Sequence, residues 1–154
     1  NGGILMYKDT VTIFNRFKNK SGDTWHPSVL HNVNINLDKA TINEKYGEKS
    51  QDNVILNVRF TPYSSDKKIG TKIWKPPKEW EKQDLDLLPQ AITFTPGQNF
   101  DFFYLGEWDN ETPISDNDYT DGFYNYMNSK HDYVFAITSA SCYSVIPHFE
   151  ITGK

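Results

Sequence analysis

The clearest pattern in the chain is strict alternation. Asn32–Leu37 (NVNINL) puts Val33, Ile35 and Leu37 on one side of an extended backbone and three asparagines on the other, the period-two mark of a half-buried strand. Val54, Leu56, Val58 and Phe60 repeat it in NVILNVRF. DTVTIFNRF aligns Val11, Ile13 and Phe17, with Asn15 as a flaw on the same face. Towards the C-terminus YVFAITS and VIPHFEIT alternate again, with Phe149 and Ile151 facing inward. KNKSGD reads as a hairpin tip between the first two strands, Gly22 supplying its positive φ. AITFT and FDFFYL, joined through PGQN, read as two strands paired around a Pro-Gly turn.

Helical signals are few. PPKEWEKQ offers Pro at a first helical turn followed by good helix formers. SDNDYTDGFYNYMNSK offers an Asp or Ser cap, with Tyr119, Phe123, Tyr126 and Met127 on one face and Gly122 interrupting it. The prediction is a mainly β chain: an antiparallel β-barrel or sandwich with one or two short helices.

Composition sharpens this. Hydrophobic residues are 37% of the 154 and aromatics 15%, so a modest core must be filled with large rings and β-branched side chains, which suits sheets. One domain fits this length, assigned here to residues 6–154. Met6 followed by YKDTVTIF reads as a start, leaving Asn1–Leu5 as an expression remnant or upstream sequence. That N-terminus does not read as a signal peptide. No run approaches the roughly 18 apolar residues of a membrane helix. A single cysteine, Cys142, excludes an internal disulfide, fits a reducing compartment, and reads as a small buried hydrophobe.

The net charge of −4 argues against tight nucleic-acid binding, which depends on neutralising phosphates. The charge is also segregated. Lys67, Lys68, Lys72, Lys75, Lys78 and Lys82 cluster mid-chain, whereas no Lys or Arg falls between Pro96 and Gly122. There the acids accumulate, and Glu107, Asp109, Glu111, Asp116 and Asp118 form a candidate acidic loop. The two segments could meet within one chain or between copies.

Catalytic and metal signatures are weak. A calcium loop opening at Asp116 would need glycine at its sixth position and glutamate at its twelfth, and finds Asp121 and Met127. An acid-capped helix start explains these residues better. His26, His31, His131 and His148 match no metal spacing and read as surface or edge residues, and no nucleophile elbow or phosphate loop occurs. No cofactor or catalytic residue is assigned. Trp25, Trp74, Trp80 and Trp108 admit a sugar-stacking face, with burial in the core as the alternative. Ile73–Trp80 (IWKPPKEW) cannot be a central strand, because its prolines lack N–H donors. It is expected to form a stiff corner in which Trp74, Pro76, Pro77 and Trp80 contact a partner, so that Trp80→Ala would impair assembly more than folding.

YKDTVTIFNRF, IWKPPKEW, FTPGQNFDFFYLGE and the closing ITSA…IPHFEITGK together resemble a family of small proteins from the head and head–tail structural gene block of tailed phages and prophages of Gram-positive gut bacteria. The order of a VTI strand, a hairpin, an NV-x-I strand and a late Pro-Gly turn resembles head-closure (stopper) proteins, although Glu107–Asp132 is longer than that pattern has. The resemblance implies a non-enzymatic virion protein that assembles as a ring with connector, portal or tail components. It would reside in the particle, and in the host cytoplasm during assembly. A tail-completion or minor capsid role fits the same resemblance. A carbohydrate-binding β-sandwich using exposed tryptophans is the rival expectation.

Overall fold

A computed structural model describes residues 6–37, 54–97 and 100–154. Six strands close an antiparallel barrel in the order β1 (Asp9–Phe17), β8 (Phe102–Leu105), β10 (Val134–Tyr143), β11 (His148–Gly153), β3 (Val54–Arg59) and β2 (Thr24–Leu37), with β2 returning to β1. The short β9 (Ile114–Ser115) adds to the outer edge of β2 at Thr24 and Trp25. A second sheet of β4 (Thr61–Tyr63), β5 (Asp66–Ile69), β6 (Lys72–Trp74) and β7 (Ala91–Ile92) closes one end. Its Ile69 and Ile92 join the barrel interior, and Trp74 packs against it.

The alternating residues fill that interior as expected. Val33, Val54, Leu56, Val58, Phe60, Phe149 and Ile151 are all buried there. β1 differs from the one-sided strand its pattern suggested: Val11 and Ile13 face the barrel, while Phe14 faces outward and is equally buried. Its cover is helix α2 (Phe123–Lys130), whose Phe123 and Met127 meet Phe14, Trp25, Phe102 and Val134. Phe14 lies 5.2 Å from Phe123, centroid to centroid, and 4.8 Å from Phe102.

Two expected elements take another form. AITFT and FDFFYL do not pair with each other: β7 runs parallel to β6, and β8 lies between β1 and β10. The Asp101 carboxylate closes this turn instead, accepting from the amides of Thr95 and Arg16. Gln98 and Asn99 of the PGQN turn fall outside the described residues. The helix proposed from Ser115 onward is split into a 3-10 turn at Asp116–Asp118 and α2, because Gly122 sits at φ +89 and cannot continue a helix. Asp116 still caps α2, its Oδ1 accepting from the Phe123 amide at 2.8 Å.

Candidate functional site

The corner IWKPPKEW forms as a corner but does not face outward. Pro76 and Pro77 start helix α1 (Pro77–Glu81), where a missing N–H is harmless. The helix turns Trp80 inward to 2% exposure against Leu88, Ala91 and Phe17. Trp74 is half-buried beside Phe149, at 4.9 Å. Trp80 is thus a packing residue rather than the partner contact expected of it, and Pro76 alone of the four is exposed. Trp25 is fully buried and Trp108 half-buried, so the described tryptophans present no open, coplanar stacking face. A barrel whose core and outer cover are both aromatic draws all four into packing.

What the fold does expose is the turn between β10 and β11. β10 runs on well past its pairing with β8, which ends at Ala136, and the alternation that read VIPHFEIT as strand from its first residue breaks down: β11 starts at His148. Val145 is 97% exposed, Ile146 70% and Tyr143 45%. Cys142 is exposed as well, contrary to its expected burial. The tip is held by its base, since the Phe60 amide donates to the Pro147 carbonyl at 3.3 Å and the Tyr143 ring stacks on His148. Turns ordinarily carry Gly, Asn, Asp or Ser; two aliphatic residues in water at a braced tip constitute an unpartnered apolar surface.

Beside this hairpin's base lies a groove of about 380 Å³ between β2 and the β5–β6 turn. Leu30, Val33, Val58 and Ile69 lie beneath its floor as buried members of the barrel core, and its accessible border is polar, with His31, Asn32, Arg59, Thr71 and Glu111 exposed along it. It follows a gap in the wall. β2 pairs with β9 at Thr24–Trp25 and with β3 from Asn34 onward, and between these no described strand covers that edge. Pro27 falls inside the gap, so its missing N–H breaks no ladder bond.

Two side chains occupy part of the missing strand's place. The Val29 amide donates to Glu111 Oε2 at 2.8 Å, and Lys72 Nζ donates to the Pro27 carbonyl at 3.3 Å and to Ser28 Oγ at 2.6 Å. Lys72 and Glu111 lie 3.3 Å apart. The basic and acidic segments therefore do meet within the chain, through this one pair among the described residues. Burial pulls the Lys72 ammonium below its ordinary range while Glu111 pulls it back up. Burial, with Lys72 nearby, also lowers His26 to about 4.

A Ser–Lys contact of 2.6 Å resembles the first step of nucleophile activation. Here the Ser28 hydroxyl sits in the wall at 2% residue exposure, where no substrate reaches it. The arrangement holds an ammonium over a strand edge, a familiar way to protect exposed backbone from pairing.

A second polar cluster sits behind β1. Asn15, the apparent flaw, is 1% exposed and donates from Nδ2 to the Thr93 carbonyl and to Asp101 Oδ2, both at 2.7 Å. Asp101 is also fully enclosed, and burial raises it to about 7 against the pull of its N–H donors. These bonds tie β1 to the turn before β8.

The other acidic positions do not converge. Glu107, Asp109 and Asp118 are exposed along the surface, Glu111 is at the groove, and Asp116 is drawn inward by Trp25 Nε1 at 2.9 Å and Arg16 at 3.7 Å. Burial opposes ionisation of Asp116, but the Phe123 amide, the Trp25 indole and Arg16 outweigh it and hold the carboxyl below its usual range. Asp118 and Asp121 border a recess of about 730 Å³ with Tyr119 and Tyr126, whose rings lie 4.7 Å apart. No three His, Cys, Asp or Glu side chains among the described residues are grouped to hold a metal.

Residues 6–154 match a family of unknown function (DUF6751), and the chain belongs to that family. No curated protein and no solved structure matches it.

Proposed function

We propose that this chain is a non-enzymatic assembly protein of a tailed-phage particle, positioned at the head–tail interface and working as an oligomer. The virion assignment rests on the motif resemblance described above. The contact role rests on the β10–β11 tip, where Val145 and Ile146 are held in water by a braced hairpin. An apolar tip fixed before it meets a partner loses little entropy on docking, which favours a contact function. The polar clusters support the same reading: Asn15–Asp101 and Lys72–Glu111 act as internal fastenings, and the Ser28 hydroxyl is closed to a substrate.

Quantitative mass spectrometry of purified particles tests the proposal. A fixed, ring-like copy number, on the order of 6 to 12 per particle, is expected, and absence of the chain from particles would end the virion reading. A second reading has one observation in its favour. The recess beside α2 combines two tyrosine rings with Asp118, Asp121 and Asn125, a set that can stack on a sugar and bind its hydroxyls. This moves the glycan hypothesis from tryptophans to tyrosines. Loss of glycan binding in Tyr126→Ala is its expected result; no binding to any glycan by the wild type would eliminate it.

A further inference from the structure

We propose that the outer half of β10 is an open strand edge that pairs antiparallel with the same edge of a second copy. This rests on the contact role just proposed for the β10–β11 hairpin, not on the virion assignment, and it names the partner. β8 covers β10 only at Val134–Ala136. The next residue, Ile137, is still bonded on that side: its amide donates to the Asp101 carbonyl and its carbonyl accepts from the Gly97 amide, both at 3.1 Å. From Ser139 to Tyr143 the strand pairs with β11 on one side, and no described segment bonds its backbone on the other. Ser139, Ser141, Cys142 and Tyr143 are exposed there. The register with β11 slips once, between Ile137 and Ser139, and runs evenly beyond. The open stretch is therefore regular strand, not a bulge that turns an edge away from partners.

The barrel guards its gap along β2 with Lys72 and Glu111. The edge of β10 has no such guard. No Asp, Glu, Lys or Arg lies between Asp132 and Glu150, in a chain of which 23% is charged, and Pro147 falls after the strand has ended. Unpaired N–H and C=O groups on an unguarded edge are a template for another strand, and main-chain bonds supply the affinity of such a joint. A second copy suits this edge in three ways. Each copy carries a net charge of −4, so two copies approach at least electrostatic cost where neither is charged. Antiparallel pairing of identical edges has a two-fold axis and closes with two chains. With that axis near Ser141, mid-way along the open stretch, the tip of each copy reaches the position of the other's Ile137, beside the exposed Pro96–Gly97 turn. The joint thus covers Val145 and Ile146, the most exposed aliphatic side chains of the hairpin.

The test uses the whole chain. In sedimentation velocity over a wide concentration range the wild type is expected to reach a dimer. Ser139→Lys/Ser141→Lys sets four lysines along the joint, the usual guard of a strand edge, and is expected to dimerise at least tenfold more weakly. Ser139→Thr/Ser141→Thr keeps the edge uncharged and is expected to dimerise like the wild type. Both pairs of changes fall at exposed positions, and far-UV circular dichroism checks that each variant folds. Cross-linking with a short bismaleimide reads the direction of pairing without disturbing the edge. Cys142 is the chain's one cysteine and is exposed, and pairing about Ser141 brings the two copies of it together. In Cys142→Ser/Val145→Cys the thiol moves to the most exposed position of the tip, yet antiparallel pairing holds the two tips roughly 25 Å apart, at about 3.3 Å per residue. The wild type is therefore expected to cross-link at least tenfold faster than this variant.

A wild type that stays monomeric throughout overturns the inference and leaves the edge to a strand of some other protein. A lysine variant that dimerises like the wild type also overturns it, by placing the joint elsewhere. Cross-linking through Val145→Cys as fast as through Cys142 does the same, because it would mean contact between tips. None of these outcomes depends on the chain's copy number in particles, so the inference and the virion reading can fail separately.

Discussion

Asp101→Asn should invert the pH dependence of stability. Asp101 is raised from 3.8 to about 7 in the fold, chiefly by burial. Between those values the folded protein holds a proton that the unfolded chain releases, so stability falls as pH rises. At about 1.4 kcal/mol per pH unit the full effect is about 4 kcal/mol, present below pH 4 and lost by pH 7. His26 works the other way. It falls from 6.5 to about 4, through burial and then Lys72, so the unfolded chain holds the extra proton and stability rises with pH over nearly the same window. That ring is half-buried, and the water that reaches it screens its contribution to well below that of Asp101. Asp116, held below its usual range, acts only below about pH 4.

The wild type should therefore lose stability from pH 4.5 to 7 with a slope shallower than ~1.4 kcal/mol per unit. In Asp101→Asn the His26 term is left alone, and the slope turns gently upward. The variant is also weaker at every pH by about 1–3 kcal/mol, because both oxygens of Asp101 accept N–H donors and one would become an amide nitrogen facing a donor. Urea unfolding followed by tryptophan fluorescence at several pH values measures slope and level together. A wild type that gains stability with pH across this window would refute the reasoning. An Asp101→Asn protein with the wild-type slope would do the same.

Trp80→Ala should cost about 3–5 kcal/mol, as a large buried side chain replaced by a cavity, measured as a lower urea midpoint; a change below 1 kcal/mol would restore the surface-contact reading. Glu111→Ala should cost about 1–3 kcal/mol by leaving Lys72 buried without its counter-ion, whereas Lys72→Met should be near neutral; equal losses in the two would contradict this asymmetry. Gly122→Ala should cost about 1–2 kcal/mol, since φ is +89 and the added Cβ would sit 3.3 Å from Asp116 Oδ1, and thermal unfolding checks it.

The strands that face the barrel were legible because their pattern is local. Val33, Ile35 and Leu37 alternate with polar residues, and Val54, Leu56 and Val58 recur at every second position; each occupies the interior or packs against it. β1 was half legible. Its second buried face depends on Phe123 and Met127, more than a hundred residues away, and no window around Phe14 contains them. Asn15 looked like a flaw for a related reason: its partners are Thr93 and Asp101, remote in sequence, and a buried amide with satisfied bonds resembles an exposed one until they are known.

The groove and tip show the same limit in another form. Four segments build the groove and its plug: Val29–Val33, Val58–Arg59, the turn before Lys72, and Glu111. None carries a motif, because closing a strand edge requires any cation and any carboxylate at the right place. The opposed basic and acidic segments were the available signal, and they predicted a meeting without its location. The tip left a stronger trace. Two antiparallel strands end to end require a turn between them, and the structure places it at Ser144, Val145, Ile146 and Pro147, inside the run that had read as strand. Aliphatic residues where a turn must fall contradict the usual turn chemistry. A conflict between local chemistry and the geometry the fold imposes is where a functional surface is expected, so the β10–β11 tip is the most informative place to begin mutating this protein.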